Sequence, residues 1–261
     1  MQLSLAVGAI FGISALAFAA VTQMQAAQPQ AVVSGGQGSL TLICPPRGKG
    51  FCGSLCTDPS VSGWPFVQST CDTNPVVTWS DTMYYPTTCP TDRFDRVVIR
   101  TWRAVDSCGN IATCTQEIDV VKQLWHLDIK PTSCPNPIEL NGGGPNAVVS
   151  IALLGTALND VAQVMPGTLQ LWREDCTQGP LSPTSVNFED VAAPSPQTTA
   201  CECTTAGPDG YMDLRLAFSK RAIINQLGLA NVQPGTMVPL VLTGRLANGC
   251  QFRATDCVRV Q

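Results

Sequence analysis

Thirteen cysteines in a chain of 261 residues restrict this protein to folds that bring many thiols close together. Zinc-ligand spacing is missing, because no CxxC pair occurs and His126 is the only histidine. Disulfides form and persist in oxidising compartments. The sequence therefore predicts an exported protein that is stapled by disulfides. Because the count is odd, one thiol is free, pairs with another chain or is lost in processing.

The start of the chain has the features of an export signal. Leu3 to Val21 is an apolar run broken by glycine, and small-residue cleavage sites follow at Ala19 and Ala27. We expect residues 1–27 to be a signal peptide. Because basic residues are missing before the run, an uncut N-terminal anchor is the alternative. Residues 28–38 are predicted as a flexible lead-in. The expected location is extracellular, either secreted or at the cell surface, with no membrane contact beyond this segment.

Composition favours short strands joined by loops. Charged residues make up 13% and aromatic residues 6%, while glycine and proline number 22 and 20. The few basic residues are scattered, which argues against nucleic-acid binding. We predict an all-β fold with two disulfide-stapled antiparallel β-sandwich domains, residues 39–122 and 125–261. The second is predicted to carry one short helix.

The strongest local pattern spans residues 97–121. Val97 to Val105 and Ala112 to Val121 alternate with period two, as strands do, around a turn that contains Gly109-Asn110. Asp106 is predicted as a turn residue whose carboxylate bonds backbone N–H groups. These residues resemble the HYR-like, immunoglobulin-like repeat of secreted bacterial surface proteins. The matching positions are Val77-Thr-Trp-Ser-Asp81, Arg100-Thr-Trp102, Asp106 and Cys108-Gly-Asn110.

Seven cysteines lie in the first predicted domain, so the unpaired thiol is expected there. Connectivity does not follow from sequence alone. The preferred local pairs are Cys71–Cys89 and Cys108–Cys114, with Cys44, Cys52 and Cys56 undecided.

The adjacent Tyr84 and Tyr85 are the ligand-binding candidates of this domain. Neighbouring residues of a strand face opposite ways, so at least one of the two should be exposed. Together with Trp79 they could form a platform for a sugar ring or a partner protein. Trp79 and Trp102 fit core positions of a sandwich better, because a large aromatic ring buries much apolar area there.

The second half contains four motifs in series. They are Asp128 to Ile138, Val149 to Thr156, Glu189-Asp190 with Asp209 to Phe218, and Leu242 to Val260. Together they resemble a module at the ends of secreted bacterial proteins, of the type D-I-K-P…D-G-x-x-D-L. The resemblance implies an architecture more than an activity. This half has six cysteines, an even number that can pair completely within it: Cys134, Cys176, Cys201, Cys203, Cys250 and Cys257. Cys201 and Cys203 are too close to bond to each other, so each should reach another strand.

A calcium site is the metal hypothesis of this half. Closely spaced carboxylates around a glycine turn can collect oxygen ligands for Ca²⁺, and the candidates are Asp190, Asp209 and Asp213, with Glu189 as an additional one. The alternative is structural: Asp209-Gly210 makes a hairpin turn, and the stretch from Ala192 to Gly207 is pinned by disulfides.

No enzyme signature stands out, since G-x-S-x-G is missing and no pair of carboxylates is singled out. The predicted function is a non-catalytic adhesion or binding protein that contacts a cell-surface polysaccharide or protein. Calcium is the one cofactor considered for it. The alternatives are a structural component of an extracellular assembly and an accessory carbohydrate-binding protein. A disulfide-linked oligomer through the odd cysteine is also open.

Overall fold

A computed structural model of the chain describes residues 30–35, 38–53, 56–86, 89–195, 201 and 203–261. The predicted signal peptide, residues 1–27, lies outside the described residues. No helix in the described part is both long and apolar enough to span a membrane. The structure is dominated by strands, so the predicted all-β class is confirmed.

Seven strands make up the first half of the described chain. They are β1 (Gln30–Gly35), β2 (Gly38–Ile43), β3 (Gly48–Phe51), β4 (Phe66–Ser69), β5 (Val76–Tyr84), β6 (Phe94–Val105) and β7 (Ile111–Val121), with the short helix α1 (Pro59–Ser62). One sheet has the order β1-β2-β4 and the other β3-β7-β6-β5. The flexible lead-in predicted for residues 28–38 was wrong for 30–35, because β1 pairs with β2 along its whole length.

The two sheets of the first half pack around a small core. Leu40 and Leu42 of β2 face Trp102 and Ala104 of β6, and all four are fully buried. The Cys44–Cys114 disulfide crosses between the sheets beside Trp102. A buried tryptophan against an inter-sheet disulfide is a hallmark of the immunoglobulin fold. The core position predicted for Trp102 is therefore confirmed.

Eight strands form one sheet in the second half. They are β8 (Gln123–Ile129), β9 (Asn136–Ile138), β10 (Val148–Leu154), β11 (Gln170–Arg173), β12 (Ser185–Glu189), β13 (Asp213–Ser219), β14 (Met237–Arg245) and β15 (Gln251–Val260). The helix α2 (Lys220–Gln226) and three 3-10 helices, Val161–Gln163, Pro166–Thr168 and Leu229–Asn231, complete this half. The predicted short helix is confirmed as α2, and Ser219 caps it by accepting a hydrogen bond from the N–H of Ala222.

The sheet of the second half curls around its core. Its order is β11-β14-β15-β8-β10-β13-β12, and β9 pairs with β15. Leu181 exchanges two backbone hydrogen bonds with Leu171 of β11, and β12, which follows in the chain, pairs with β13 near the other end. The stretch 181–189 therefore contacts both ends of the sheet. Leu171, Phe218 and Phe252 are fully buried inside the curl.

The disulfide pairing differs from the predicted local pairs. The bonds are Cys44–Cys114, Cys52–Cys250, Cys71–Cys108, Cys89–Cys176, Cys134–Cys203 and Cys201–Cys257. The predicted pair Cys71–Cys89 was wrong, because Cys71 bonds to Cys108 in the turn between β6 and β7. Cys108–Cys114 was wrong because Cys108 lies in that turn, whereas Cys114 points inward from β7. Cys201 and Cys203 each reach another part of the chain, as predicted.

Two of these bonds join the predicted domains, so the six cysteines of the second half do not pair completely within it. Cys52–Cys250 and Cys89–Cys176 connect them, and Val98, Ile118 and Val120 share the core of the curled sheet. The hydroxyl of Thr91 also donates to the carbonyl of Glu174, at 2.6 Å. The two halves therefore fold against each other.

Cys56 is the free cysteine among the described residues, which agrees with an unpaired thiol in the first half. It is 6% exposed and lies against Gly50, where an added Cβ would collide with its own. Little of this residue is exposed, and the disulfide-linked oligomer stays a prediction.

Candidate functional site

Three tryptophans of the first half form a mutual cluster, which we call the tryptophan cluster. Trp64, Trp79 and Trp102 have ring centroids 5.4 to 5.6 Å apart, and Trp64 meets Trp79 edge-on at 88°. Trp102 is buried, whereas Trp64 and Trp79 are 56% and 44% exposed. The core position that the sequence favoured for Trp79 was therefore wrong. Its inner ring edge touches the core, and its outer surface faces solvent.

An ion pair between buried Arg100 and the partly exposed Asp81 lies beside the cluster. Arg100 of β6 donates from Nε and Nη2 to both carboxylate oxygens of Asp81 on β5, at 2.8 and 2.7 Å. Its Nη1 also donates to the hydroxyl of Ser62 at the end of α1. The guanidinium lies 5.6 Å from the ring of Trp79 and 5.3 Å from that of Trp102. This cation–π and bidentate arrangement holds the rings on a rigid base.

The same strand carries further exposed apolar groups. Met83 and Tyr84 on β5, and Tyr85 just after it, are all exposed. The prediction that at least one of the two tyrosines is exposed is thus confirmed. Within the described chain β5 lies at the end of its sheet, and β6 is its one partner strand. The aromatic side chains therefore border an open sheet edge.

Trp64 is the member of the cluster that the sequence reasoning missed. It follows Gly63, whose φ of +96° favours glycine, and precedes Pro65. An ideal Cβ at Gly63 would lie 3.1 Å from Pro45, so the turn also needs the space. A tryptophan between glycine and proline cannot continue a strand ladder, and that signal could have placed it on the surface.

The carboxylates of the three calcium candidates accept hydrogen bonds from backbone N–H groups. Buried Asp213 accepts from Gly155, Val191 and Ala192 at 2.9 to 3.2 Å. Asp190 accepts from the N–H groups of Asp209 and Gly210, and Asp209 accepts from that of Tyr211. The part of the chain that the structure describes does not bring Asp190, Asp209 and Asp213 together as one set of ligand atoms. These contacts favour the structural alternative, and calcium binding stays a prediction.

Replacing Asp213 with asparagine should lower the free energy of unfolding by about 1.5–3 kcal/mol in EDTA. An amide keeps the shape but gives up charge-assisted hydrogen bonds from three backbone donors. Chemical denaturation with intact disulfides measures the loss, and Asp209→Asn, an exposed substitution, is the matched control. A Ca²⁺-dependent rise in melting temperature that Asp209→Asn abolishes would support the calcium prediction. An Asp213→Asn variant as stable as the unchanged protein in EDTA would contradict the structural role.

One further group of potential metal ligands lies at the tip of the first half, where Cys71, Asp106 and Cys108 come together. Both cysteines are in one disulfide, so neither offers a thiolate. Asp106 accepts hydrogen bonds from Cys108, Asn110 and Ser69. The predicted turn role of Asp106 is confirmed.

Two buried carboxyl groups lie side by side in the second half. Asp256 accepts from the N–H groups of Ile129 and Cys257 and from the amide of Asn136, and burial raises its pKa to about 6. Asp128 on β8 is 3% exposed, and neither of its oxygens accepts a well-aligned hydrogen bond, although the backbone N–H of Thr132 is close enough to lower its pKa. Burial, and then the charges of Asp256 and Asp213, raise the pKa of Asp128 to about 7.

His126 lies on β8, two residues before Asp128. It is half-buried, and burial lowers its pKa. The boundary between the two predicted domains is therefore not a linker but a strand of the large sheet.

Comparison with known proteins adds little to this description. No family model matches the chain, and no curated protein matches it. Among solved structures, Drosophila N-cadherin EC1-4 is similar at 14% identity and a TM-score of 0.23, over 76% of this chain and 44% of that one. Protocadherin Gamma B2 extracellular cadherin domains 3-6 are similar at 9% identity and a TM-score of 0.20, over 75% and 41%. The chain spans less than half the length of these structures, and likeness of this size supports no conclusion about it.

Proposed function

We propose that this chain is a non-catalytic binding protein of the extracellular space and that it binds through the exposed rings of the tryptophan cluster. The carrying observation is that Trp64 and Trp79 stay 56% and 44% exposed although they pack on a buried tryptophan. Large exposed aromatic surfaces mark interaction sites, and tryptophan, tyrosine and arginine dominate binding energy where they occur.

The rigid base supports this proposal. Arg100 and Asp81 fix the rings, so binding costs little conformational entropy in Trp79. Tyr84 and Tyr85 extend the apolar surface along β5. Six disulfides in the described chain agree with an oxidising, extracellular location. The partner class that we propose is a cell-surface polysaccharide, whose sugar rings stack on flat aromatic faces.

A protein partner is the second candidate, and the open edge of β5 favours it. In the described part of the chain, no strand pairs with the outer edge of β5, which is nine residues long and contains no proline. Such an edge can accept an extended strand from another protein. Adhesion to a protein would then use backbone pairing along β5 with the aromatic rings beside it.

The experiment is a pull-down of the oxidised protein on cell-wall fractions and a polysaccharide panel, with and without Ca²⁺. Trp64→Ala and Trp79→Ala should each weaken binding about tenfold or more, because such anchors contribute about 2 kcal/mol or more. Tyr211→Ala, which removes a ring of similar exposure (45%) in the second half, should leave binding unchanged. Circular dichroism and thermal melting establish that the variants are folded.

Unchanged binding in the Trp64→Ala, Trp79→Ala double variant would refute the proposed site. Binding to a cell-wall protein but to no polysaccharide would favour the second candidate. New reducing ends in the polysaccharide after incubation would refute the non-catalytic proposal.

A further inference from the structure

A groove lies on the face of the large sheet that is turned away from the main core. Ser150 and Arg215 line it, and they alternate along β10 and β13 with the fully buried core residues Ile151 and Leu216. The cavity has a volume of about 640 Å³, within the range of small-ligand sites. A second cavity of about 330 Å³ shares Gly143, Ala147 and Lys220 with it. The two cavities are adjacent, and together we call them the basic groove.

The charge of the groove is opposite to that of the protein. The chain has a net charge of −4, yet Lys130, Arg215, Lys220 and Arg221 line the groove. Two acidic residues accompany them: Glu139 lies 3.7 Å from Lys220, and Glu189 pairs with Arg215. Four of the chain's fifteen basic residues therefore meet at one place. This concentration attracts anions toward a protein that otherwise repels them.

The basic side chains are positioned and still have donors to spare. Lys130 Nζ donates to the carbonyl of Pro137 and Lys220 Nζ to that of Gly142, both at 3.0 Å. Arg215 donates from Nε to Ser150 and from Nη1 to Glu189. A lysine ammonium has three N–H donors and a guanidinium has five. Among the described residues these contacts use fewer than half of the donors, so the remainder can bind a ligand.

The wall of the groove contains unusual backbone. Lys130 and Thr132 have φ values of 58° and 70°, in the left-handed region that non-glycine residues rarely occupy and that is costly for a β-branched residue. The N–H of Lys130 donates to the carbonyl of Ser150, and that of Ser133 to the carbonyl of Lys130, which holds the segment in place. Strained backbone of this kind persists where the surroundings over-determine it, and it is enriched at ligand sites.

Three of the four sequence motifs of the second half converge on the groove. Lys130, Pro137 and Ile138 come from residues 128–138, Val149 and Ser150 from residues 149–156, and Arg215 from residues 209–218. The motifs are far apart in the chain, and the sheet order β8-β10-β13 makes them neighbours. Polar and charged side chains from several separate segments thus line one cavity, and such convergence indicates a binding site.

From this juxtaposition we propose that the basic groove binds a segment of an anionic glycan, that is, a sugar chain bearing carboxylate or sulfate groups. The cations recognise the acidic groups. Thr132 and Ser150 offer hydroxyls, while Pro131 and Val148 offer apolar surface, a combination that suits sugar rings. The second cavity lets a chain continue past Lys220. This site is separate from the tryptophan cluster and does not depend on it.

The test measures binding of the full oxidised chain to polygalacturonate, dextran sulfate, neutral dextran and polyglutamate in physiological salt. We expect binding to one or both acidic glycans, and the better ligand identifies the acidic group as carboxylate or sulfate. Lys130→Gln with Arg215→Gln should weaken that binding tenfold or more. Arg103→Gln with Arg259→Gln removes the same charge from exposed positions outside the groove and should change binding less than twofold.

A second variant distinguishes loss of the binding site from a folding defect. Arg221→Gln, at an exposed position of α2, should also weaken glycan binding, about threefold or more, with an unchanged melting temperature. Equal loss in the groove variant and in the charge-matched control would overturn the proposal, as would equal binding of polyglutamate and the acidic glycans. The Trp64→Ala, Trp79→Ala double variant should retain acidic-glycan binding, so failure of either site is visible independently of the other.

Discussion

Replacing Asp128 with asparagine should raise the free energy of unfolding at pH 8 by about 2–4 kcal/mol and flatten its dependence on pH. In the unfolded chain this carboxyl ionises near the usual aspartate pKa of about 3.9. In the folded protein its pKa is raised to about 7, by burial and then by the charges of Asp256 and Asp213. The folded state therefore binds more protons between these two values, and its stability falls as pH rises through that window.

At pH 8 the folded protein holds a buried, ionised carboxylate that accepts no well-aligned hydrogen bond. A pKa difference of this size corresponds to about 4 kcal/mol. Asparagine removes the charge but leaves a buried polar amide, which reduces the gain. The measurement is chemical denaturation at pH 5 and pH 8 with intact disulfides. His126 is common to both proteins, so its opposite dependence on pH cancels in the comparison.

Asp256→Asn is the matched control for this prediction. Its carboxylate accepts three hydrogen bonds, from Ile129, Asn136 and Cys257, so an amide in its place loses partners. We expect this variant to gain less stability at pH 8 than Asp128→Asn, because the lost hydrogen bonds offset the removal of a charge whose pKa is raised to about 6. If the free energy of unfolding depended on pH in the same way in Asp128→Asn and in the unchanged protein, the raised pKa of buried Asp128 would be contradicted.

Removing the Cys52–Cys250 disulfide by substituting both residues with alanine should lower the free energy of unfolding by about 2–5 kcal/mol. The bond joins the two halves, and both cysteines lie in the core of the curled sheet at 4% exposure. The loss thus has two sources, greater freedom of the unfolded chain and a cavity where two sulfur atoms were packed. Denaturant titration with the other disulfides intact measures it.

The Cys71→Ala, Cys108→Ala double variant is the control. Its disulfide lies at the partly exposed tip of the first half, so removing it relaxes the unfolded chain with little cavity formation. We expect a smaller loss than in the core variant. An equal or larger loss at the tip would show that core packing of Cys52 and Cys250 contributes little.

Local patterns in the sequence identified several parts of the fold and site. The alternation in residues 97–121 placed β6 and β7, because inward and outward residues of a strand alternate regardless of the rest of the chain. Trp102 and Asp106 took the predicted core and turn positions. Tyr84 and Tyr85 are exposed as expected, but the neighbouring tryptophan cluster was missed, since Trp64 joins it from a loop.

The sequence by itself determined the class of the protein: alternating strands, turn residues at their ends, and cysteines suited to an oxidising compartment. Only the tertiary structure decided which cysteines meet, how the halves share a core and which motifs line the basic groove. Strand periodicity depends on neighbouring residues, whereas the partner of Cys52 lies 198 residues away. That pairing follows from the positions of β3, β7, β8 and β15, and long-range strand order leaves no local trace in the chain.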